Sequence, residues 1–272
     1  MKIVPPATHT PPDDQGLTVR RSLAQDAATH LVSMGALVLV LSVYLAVVAG
    51  WGLFYAVYAV VIYAVSCAFI WRGLSNHPFA QFGSANSITL CRMAVVTMLI
   101  AMVVQSIGEP LVTNPVLGFW GQPQQLGGWV FLGVLVATAV LDAVDGMLAR
   151  RSGMSSSFGA RFDMETDAAL IAVMSVLVVL LGQTGAWIVL GGLMRYVFVA
   201  AGYVWPWLHA PLAPSRRRQT ICVVQVGALV LCLTPLTSPE QAMWLGACSV
   251  AALTLSFAID VRHLAQQRHK RL

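Results

Sequence analysis

The chain has 272 residues, of which 58% are hydrophobic and 10% charged, and its mean hydropathy is +0.75. This composition excludes an ordinary water-soluble domain and predicts a membrane protein with several spans. The formal charge of +5 does not predict nucleic-acid binding, because Lys and Arg lie at the ends of apolar runs and not in one patch. The five cysteines stand singly, so neither a structural zinc site nor a disulfide framework is expected.

Residues 1–30 form a polar arm that begins with a proline-rich stretch and has no apolar core of the kind that a cleavable signal peptide requires. We expect this arm in the cytoplasm. Its second half, LTVRRSLAQDAATH, has apolar and charged residues at helical spacing. Two interpretations stay open for that half: an amphipathic helix on the membrane surface, or a solvated linker.

Apolar runs of about 20 residues, long enough to cross a hydrocarbon core of roughly 30 Å, follow one another along the rest of the chain. The first two lie within residues 31–72 and are separated only near Gly50 and Trp51, which predicts a tight transmembrane hairpin. The fold class expected is therefore all-α, a polytopic membrane helical bundle of about eight transmembrane helices. The predicted spans are approximately 31–49, 51–71, 87–107, 127–149, 160–182, 186–208, 219–237 and 241–260.

The positions of Lys and Arg predict the orientation, because positive residues are retained on the cytoplasmic side. The loops around 108–126, 183–185 and 238–240 contain no Lys or Arg. We therefore predict a multi-pass protein of the cell (inner) membrane whose two termini, including the basic tail 263–272, are cytoplasmic. Arg195 is the exception, since it falls near the middle of the sixth span, where a cation is costly unless it faces a wet cavity or a bound anion.

The stretch that carries chemistry is residues 141–170, which hold five of the eleven acidic residues. Asp142 and Asp145 are three apart on one predicted helix, and Asp163 and Asp167 are four apart on the next, so each pair shares a helix face. The short connection makes these helices antiparallel neighbours, and both acidic faces can point into the gap between them. Four converging carboxylates need positive charge, and oxygen ligands select hard cations such as Mg²⁺, Mn²⁺ or Ca²⁺.

This stretch resembles the complete signature of the CDP-alcohol phosphotransferase family at all of its fixed positions and at the family's spacing. The matching residues are Asp142, Asp145, Gly146, Ala149, Arg150, Gly159, Asp163 and Asp167. A second element, running from Asn86 through Thr89 to Arg92, is similar to the N-x-x-T-x-x-R segment that opens the first core helix of the family. Asn86 alone would equally fit an ordinary helix N-cap. The resemblance covers residues 80–262, a six-helix core, and leaves the first two spans as an additional hairpin.

The resemblance implies transfer of a phosphatidyl-like group from a CDP-linked lipid such as CDP-diacylglycerol to an alcohol, with release of CMP, in phospholipid biosynthesis. Two Mg²⁺ ions, or Mn²⁺, would be held by Asp142, Asp145, Asp163 and Asp167, and Asp167 would also be the general base. The positions that match donor contacts in the family are Asn86, Thr89, Gly146, Ala149, Arg150 and Ser156. Relatives are commonly homodimers, so a homodimer is expected. Membrane lipids are expected as its surroundings, and nucleic acid is not expected as a partner.

The acceptor alcohol is not readable from the sequence. Arg195, Arg216 and Arg217 would suit the phosphate of a polyol phosphate, but the run Ser215–Arg218 fits an anchor to anionic headgroups as well. Glycerol 3-phosphate is the first expectation, and inositol phosphate, serine or an amino alcohol are alternatives. A membrane prenyltransferase would carry its acidic motifs on distant helices, whereas here the acids form one contiguous block. A membrane cation transporter is the alternative from another class; it would be expected to show repeated halves or broken helices, and the sequence shows no internal repeat.

Overall fold

The computed structural model describes residues 13–107, 126–152, 155–210, 215–234 and 236–269. Within these ranges the chain forms eight α-helices and no strand, which confirms the expected all-α helical bundle. The predicted loop around 108–126 lies, apart from its last residue, outside the described residues. The helices are α1 (Asp13–Val48), α2 (Leu53–Gly73), α3 (Ser84–Ser106), α4 (Leu126–Ser152), α5 (Ser157–Leu180), α6 (Val189–Val204), α7 (Arg216–Cys232) and α8 (Pro239–His269).

Five segments are long and apolar enough to cross a membrane, namely Thr18–Val48, Leu53–Asn76, Ser84–Ser106, Ala186–Val204 and Pro239–Arg268. The other three helices are not among these segments: α4 and α5 carry charged residues where they meet, and α7 has 17 residues. Large apolar side chains on the peripheral helices point outward, among them Phe54, Phe69, Tyr203 and Trp244. Exposed apolar surface of this extent indicates contact with lipid, so the chain is a membrane protein.

Helix α1 is longer than the first predicted span. It runs without a break from Asp13 to Val48, so residues 17–30 belong to the same continuous helix as the first predicted span. Residues 49–52 then turn the chain into α2, and Gly50 adopts φ +71°, a left-handed conformation that glycine accepts most readily. Helices α1 and α2 contact each other on either side of this turn.

Helix α3 lies at the centre of the bundle and contacts α1, α2, α4 and α5. It buries apolar side chains on most of its surface, as expected for a helix surrounded by others. Helix α6 packs tightly on α5, because a Cβ atom at Gly192 would lie only 2.6 Å from Cα of Ala172. Through the contacts of α3 with α4 and α5, the start of α5 lies beside the start of α3 and the end of α4, at what we call the site end of the bundle.

Candidate active site

Three of the four predicted metal ligands meet at the site end. Asp163 and Asp167 lie one turn apart on α5, and Asp142 faces them from the antiparallel helix α4. Carboxylate oxygens of the three residues all lie within 4.8 Å of one another. The side chains are 33%, 38% and 22% exposed for Asp142, Asp163 and Asp167, so the cluster is reachable from solvent.

Arg92 of α3 lies directly behind this cluster and is only 1% exposed. Its Nη1 donates to Oδ1 of Asp163 at 2.7 Å and lies 2.9 Å from Oδ1 of Asp142, and its Nη2 donates to Oδ1 of Asp167. One guanidinium thus contacts three carboxylates. Because one positive charge faces three negative ones, the described part of the cluster stays electronegative.

The residues present fit a divalent cation. Three carboxylate oxygens converge within the span of one coordination sphere, and oxygen is the donor that Mg²⁺ and Mn²⁺ prefer. Arg92 approaches from the buried side, whereas the carboxylates are open on the solvent side. A cation arriving from solvent therefore meets oxygen ligands first, with the fixed guanidinium beyond them.

Asn86 and Thr89 lie on the first turns of α3, both buried. The helix N-cap is Gly83, so Asn86 is inside the helix and not the N-cap that its residue type alone would allow. Its amide donates to the carbonyl of Phe82 at 2.5 Å, and a Cβ atom at Gly159 would lie 2.8 Å from its Oδ1. The absence of a side chain at Gly159 therefore lets α5 approach the start of α3.

Ser156 is the N-cap of α5, and its Oγ accepts a hydrogen bond from the amide of Gly159 at 3.0 Å. The same Oγ lies 3.0 Å from Nδ1 of His77, whose Nε2 lies 2.9 Å from the carbonyl of Gln81. His77 is buried and was not identified by sequence reasoning. A single loop histidine carries no spacing signal, so only the fold reveals its contact with Ser156.

The remaining predicted donor contacts are on α4. Gly146 is half-buried and lies four residues after Asp142, so both face the same side of the helix. The side chains of Asp145, Ala149 and Arg150 lie outside the described residues. The predicted roles of these three residues, in metal binding for Asp145 and in donor binding for the other two, remain predictions.

The candidate acceptor arginines have partners within the chain. Nη2 of Arg195 contacts Glu165 at 2.5 Å, and Nη1 contacts the sulfur of Met164 at 2.8 Å. Glu165 is two residues from both Asp163 and Asp167, and helical residues turn by about 100° each, so Glu165 points away from the aspartate cluster. The ion pair thus gives Arg195 a structural partner on the opposite face of α5.

The arginines at the start of α7 differ in their surroundings: two of them contact α8, and one is exposed to solvent. Arg217 donates to the carbonyl and hydroxyl of Ser256, both at 2.7 Å, and to Asp260 at 2.5 Å. Arg218 also approaches Asp260, at 3.7 Å, whereas Arg216 is exposed. Part of the run therefore fastens α7 to α8, which sequence reasoning did not anticipate because Asp260 is 43 residues from Arg217.

In this membrane helical bundle, the aspartates at the junction of two antiparallel helices form a cluster of oxygen donors that fits a metal ion. A model of the CDP-alcohol phosphatidyltransferase family matches residues 82–256. Because the match covers more than half of the chain, the protein belongs to this family, as the signature predicted, and it is a membrane transferase. Searches of curated proteins and of solved structures give no significant match.

Proposed function

We propose that the protein transfers a phosphatidyl group from a CDP-linked lipid, CDP-diacylglycerol in the first place, to an alcohol and releases CMP. The family supports the reaction class, and the aspartate cluster backed by Arg92 is the single observation that carries the proposal. Glycerol 3-phosphate is the acceptor proposed first, ahead of inositol phosphate, serine or an amino alcohol. The product would enter phospholipid biosynthesis.

Asp142, Asp145, Asp163 and Asp167 would hold two Mg²⁺ ions, with Mn²⁺ as an alternative. When bound, these ions would neutralise charge on the diphosphate and on the departing CMP. The convergence of three of the four carboxylates supports this assignment. Asp145 follows Asp142 by three residues in the sequence, the spacing at which two residues of one helix share a face.

Asp167 would act as the general base. Arg92 contacts its Oδ1, so that Oδ2 can take the proton of the acceptor hydroxyl. The hydroxyl oxygen then bonds to the lipid-side phosphorus while the bond from that phosphorus to the CMP oxygen breaks, and CMP leaves with the electron pair. Catalysis in this scheme comes from positioning and electrostatics, without a covalent enzyme intermediate.

The donor would lie between the starts of α3 and α5 and the end of α4. Asn86, Thr89 and Gly146 would contact it, together with Ala149, Arg150 and Ser156. Arg216 is the acceptor-phosphate candidate that the structure leaves exposed; Arg217 and Arg195 would have to share their contacts with Asp260 and Glu165. The protein would act as a homodimer in the inner membrane, with its site and termini in the cytoplasm.

The test is CMP release by the purified full-length protein from CDP-diacylglycerol, with a panel of acceptors and product identification by mass. Asp167→Asn and Asp142→Asn should each lower the rate by about 10²- to 10⁴-fold. Glu240→Gln is the matched control, because it removes an exposed carboxylate from the first turn of α8, far from the cluster. Removal of Mg²⁺ by chelation should abolish release, and its return should restore it.

Unchanged CMP release by Asp167→Asn would rule out the proposed base. Release that persists without any divalent cation would rule out the proposed metal site. Absence of CMP release with every acceptor and donor tried would rule out the reaction itself.

A further inference from the structure

Residues 77–83 connect the N-terminal hairpin to α3, and we call them the connecting loop. Two of its side chains are deeply buried: His77 is 7% exposed and Phe82 is 0% exposed. The loop ends at Gly83, whose φ of +88° favours glycine and sets the direction in which α3 starts. Buried loop segments require partners for their polar groups, and these partners show what the loop holds.

The connecting loop contacts the candidate site at two points. A carbonyl only accepts, so Nε2 of His77 donates to Gln81, and Nδ1 lies 3.0 Å from the hydroxyl oxygen of Ser156. The carbonyl of Phe82 accepts from the amide of Asn86. The loop therefore orients Asn86 on α3 and the N-cap of α5 at the same time.

Helix α1 in turn holds the connecting loop. Oδ2 of Asp26 accepts a hydrogen bond from the backbone amide of Phe82 at 2.7 Å. One turn later, the ring of His30 lies 5.6 Å from the ring of Phe82 and its Nδ1 lies 3.4 Å from Oγ of Ser87. Without Asp26, the amide of a fully buried residue would lose its acceptor.

The hairpin presents Asp26 and His30 through ordinary helix packing. The α1 residues buried against the bundle are spaced four apart at Leu23, Ala27 and Leu31, next to Asp26 and His30 in sequence. The hydroxyl of Tyr63 on α2 donates to the carbonyl of Leu31 at 2.8 Å, which fixes α1 against its partner. The hairpin itself lies outside the matched family region, which begins at Phe82.

We propose that the N-terminal hairpin is a brace for the active site, in which Asp26 is a positioning residue that holds the connecting loop and through it Asn86 and Ser156. His30 supports the same contact. The proposal rests on the proposed function for its kinetic consequence, because Asn86 and Ser156 are placed there at the donor. The structural consequence, an ordered connecting loop, does not depend on that function.

The test compares Asp26→Leu, Asp26→Asn and the control Thr29→Ala in the full-length protein. Leucine removes the acceptor, whereas the oxygen of asparagine can still accept from the Phe82 amide. Thr29 is exposed on α1 and bonds only to the carbonyl of Gln25 in its own helix. Two readouts are needed: hydrogen–deuterium exchange of peptides covering residues 77–90, and the separate kcat and KM for the CDP-linked donor.

Asp26→Leu should speed amide exchange in residues 77–90 and raise the donor KM about two- to tenfold, the effect of one hydrogen bond. Its kcat should change less, because the aspartates of α4 and α5 are untouched. Asp26→Asn and Thr29→Ala should resemble the wild type in both readouts. If Asp26→Leu is not recovered folded, His30→Ala carries the test, since it removes the ring contacts to Phe82 and Ser87 and the 3.9 Å approach to Asp26 but leaves the Asp26 carboxylate in place.

Equal exchange and equal donor KM in Asp26→Leu and Thr29→Ala would overturn the brace. A rise in exchange with an unchanged donor KM would show that Asp26 has a structural role only, and it would also overturn the brace. If the wild type releases no CMP with any substrate, the proposed function fails, and the exchange data still decide whether α1 orders the loop.

Discussion

Arg92 is an arginine buried inside a membrane protein, a costly position for a cation without anionic partners. It is 1% exposed, and its neighbours are three carboxylates that are 22–38% exposed. A buried arginine is tolerated when its fork is engaged by anions. The arrangement is mutual, because without a nearby cation the three carboxylates would repel one another. Arg92 thus supplies a positive charge that is always present beside the three carboxylates, and bound metal ions would add further positive charge.

Replacement of Arg92 by glutamine tests this interpretation. Loss of one partner from a buried ion pair costs about 3–5 kcal/mol, and the lower end applies here because the carboxylates are partly exposed. We expect a clear fall in Tm for Arg92→Gln in a metal-free buffer with chelator. Addition of Mg²⁺ should raise the Tm of this variant more than that of the wild type, because the ion then supplies the missing charge.

The matched control is Arg92→Lys, which keeps the charge but loses the fork that reaches several carboxylates, so its Tm should be intermediate. Thermal unfolding followed by tryptophan fluorescence in detergent, at one scan rate, gives all the values. A Tm loss of the same size with and without Mg²⁺ would show that Arg92 acts only through packing.

At the scale of elements, the contact between α5 and the start of α3 depends on Gly159. A Cβ atom there would lie 2.8 Å from Oδ1 of Asn86 and 3.3 Å from Oγ of Ser156. Both of these neighbours are side-chain atoms, so a substitution would move side chains before it moves helices. The glycine therefore matters more for the position of Asn86 than for the stability of the helix pair.

Gly159→Ala should accordingly lower CMP release by about tenfold or more, since small misplacements of positioning groups are costly in catalysis, while the Tm changes little. Gly133→Ala is the control, because a Cβ atom on this glycine of α4 would meet nothing within 4 Å. It should keep full activity and gain up to about 1 kcal/mol of helix stability. Equal activity in the two variants would contradict a special role for Gly159.

Apolar runs and motif spacing were sufficient to predict the helices and the convergence of Asp142, Asp163 and Asp167, because both depend on short-range helical periodicity. The contacts that depend on distant residues were not predictable. Asp26 and Phe82 are 56 residues apart, and Arg217 and Asp260 are 43 apart. The role of Arg195 was inferred from its depth alone, and its partner Glu165 belongs to another helix whose facing is set by packing.

At the scale of the whole molecule, the arginines are distributed unevenly between the two ends of the bundle. The peripheral helices expose apolar side chains around the bundle, and the site end carries the arginines at the starts of α3 and α7 and at the end of α2. The turns at the opposite end, at 183–185 and 238–240, contain no Lys or Arg. Arg217 and Asp260 pair across α7 and α8, so Ser238, which precedes α8, lies at the end opposite the site.

This asymmetry predicts that the site end faces the cytoplasm. The test uses a variant from which the five cysteines have been removed, and it introduces one cysteine at a time at an exposed serine. Ser75→Cys lies after α2 at the site end, and Ser238→Cys lies at the opposite end. In intact spheroplasts, a membrane-impermeant maleimide should label the cysteine at position 238 and not that at position 75. Permeabilised membranes, in which both should react, control for reactivity. Labelling in the reverse order would place the site outside and contradict the predicted topology. The expected order would mean that the protein binds the donor and releases CMP on the inner side of the membrane, because the aspartate cluster and position 75 lie at the same end of the bundle.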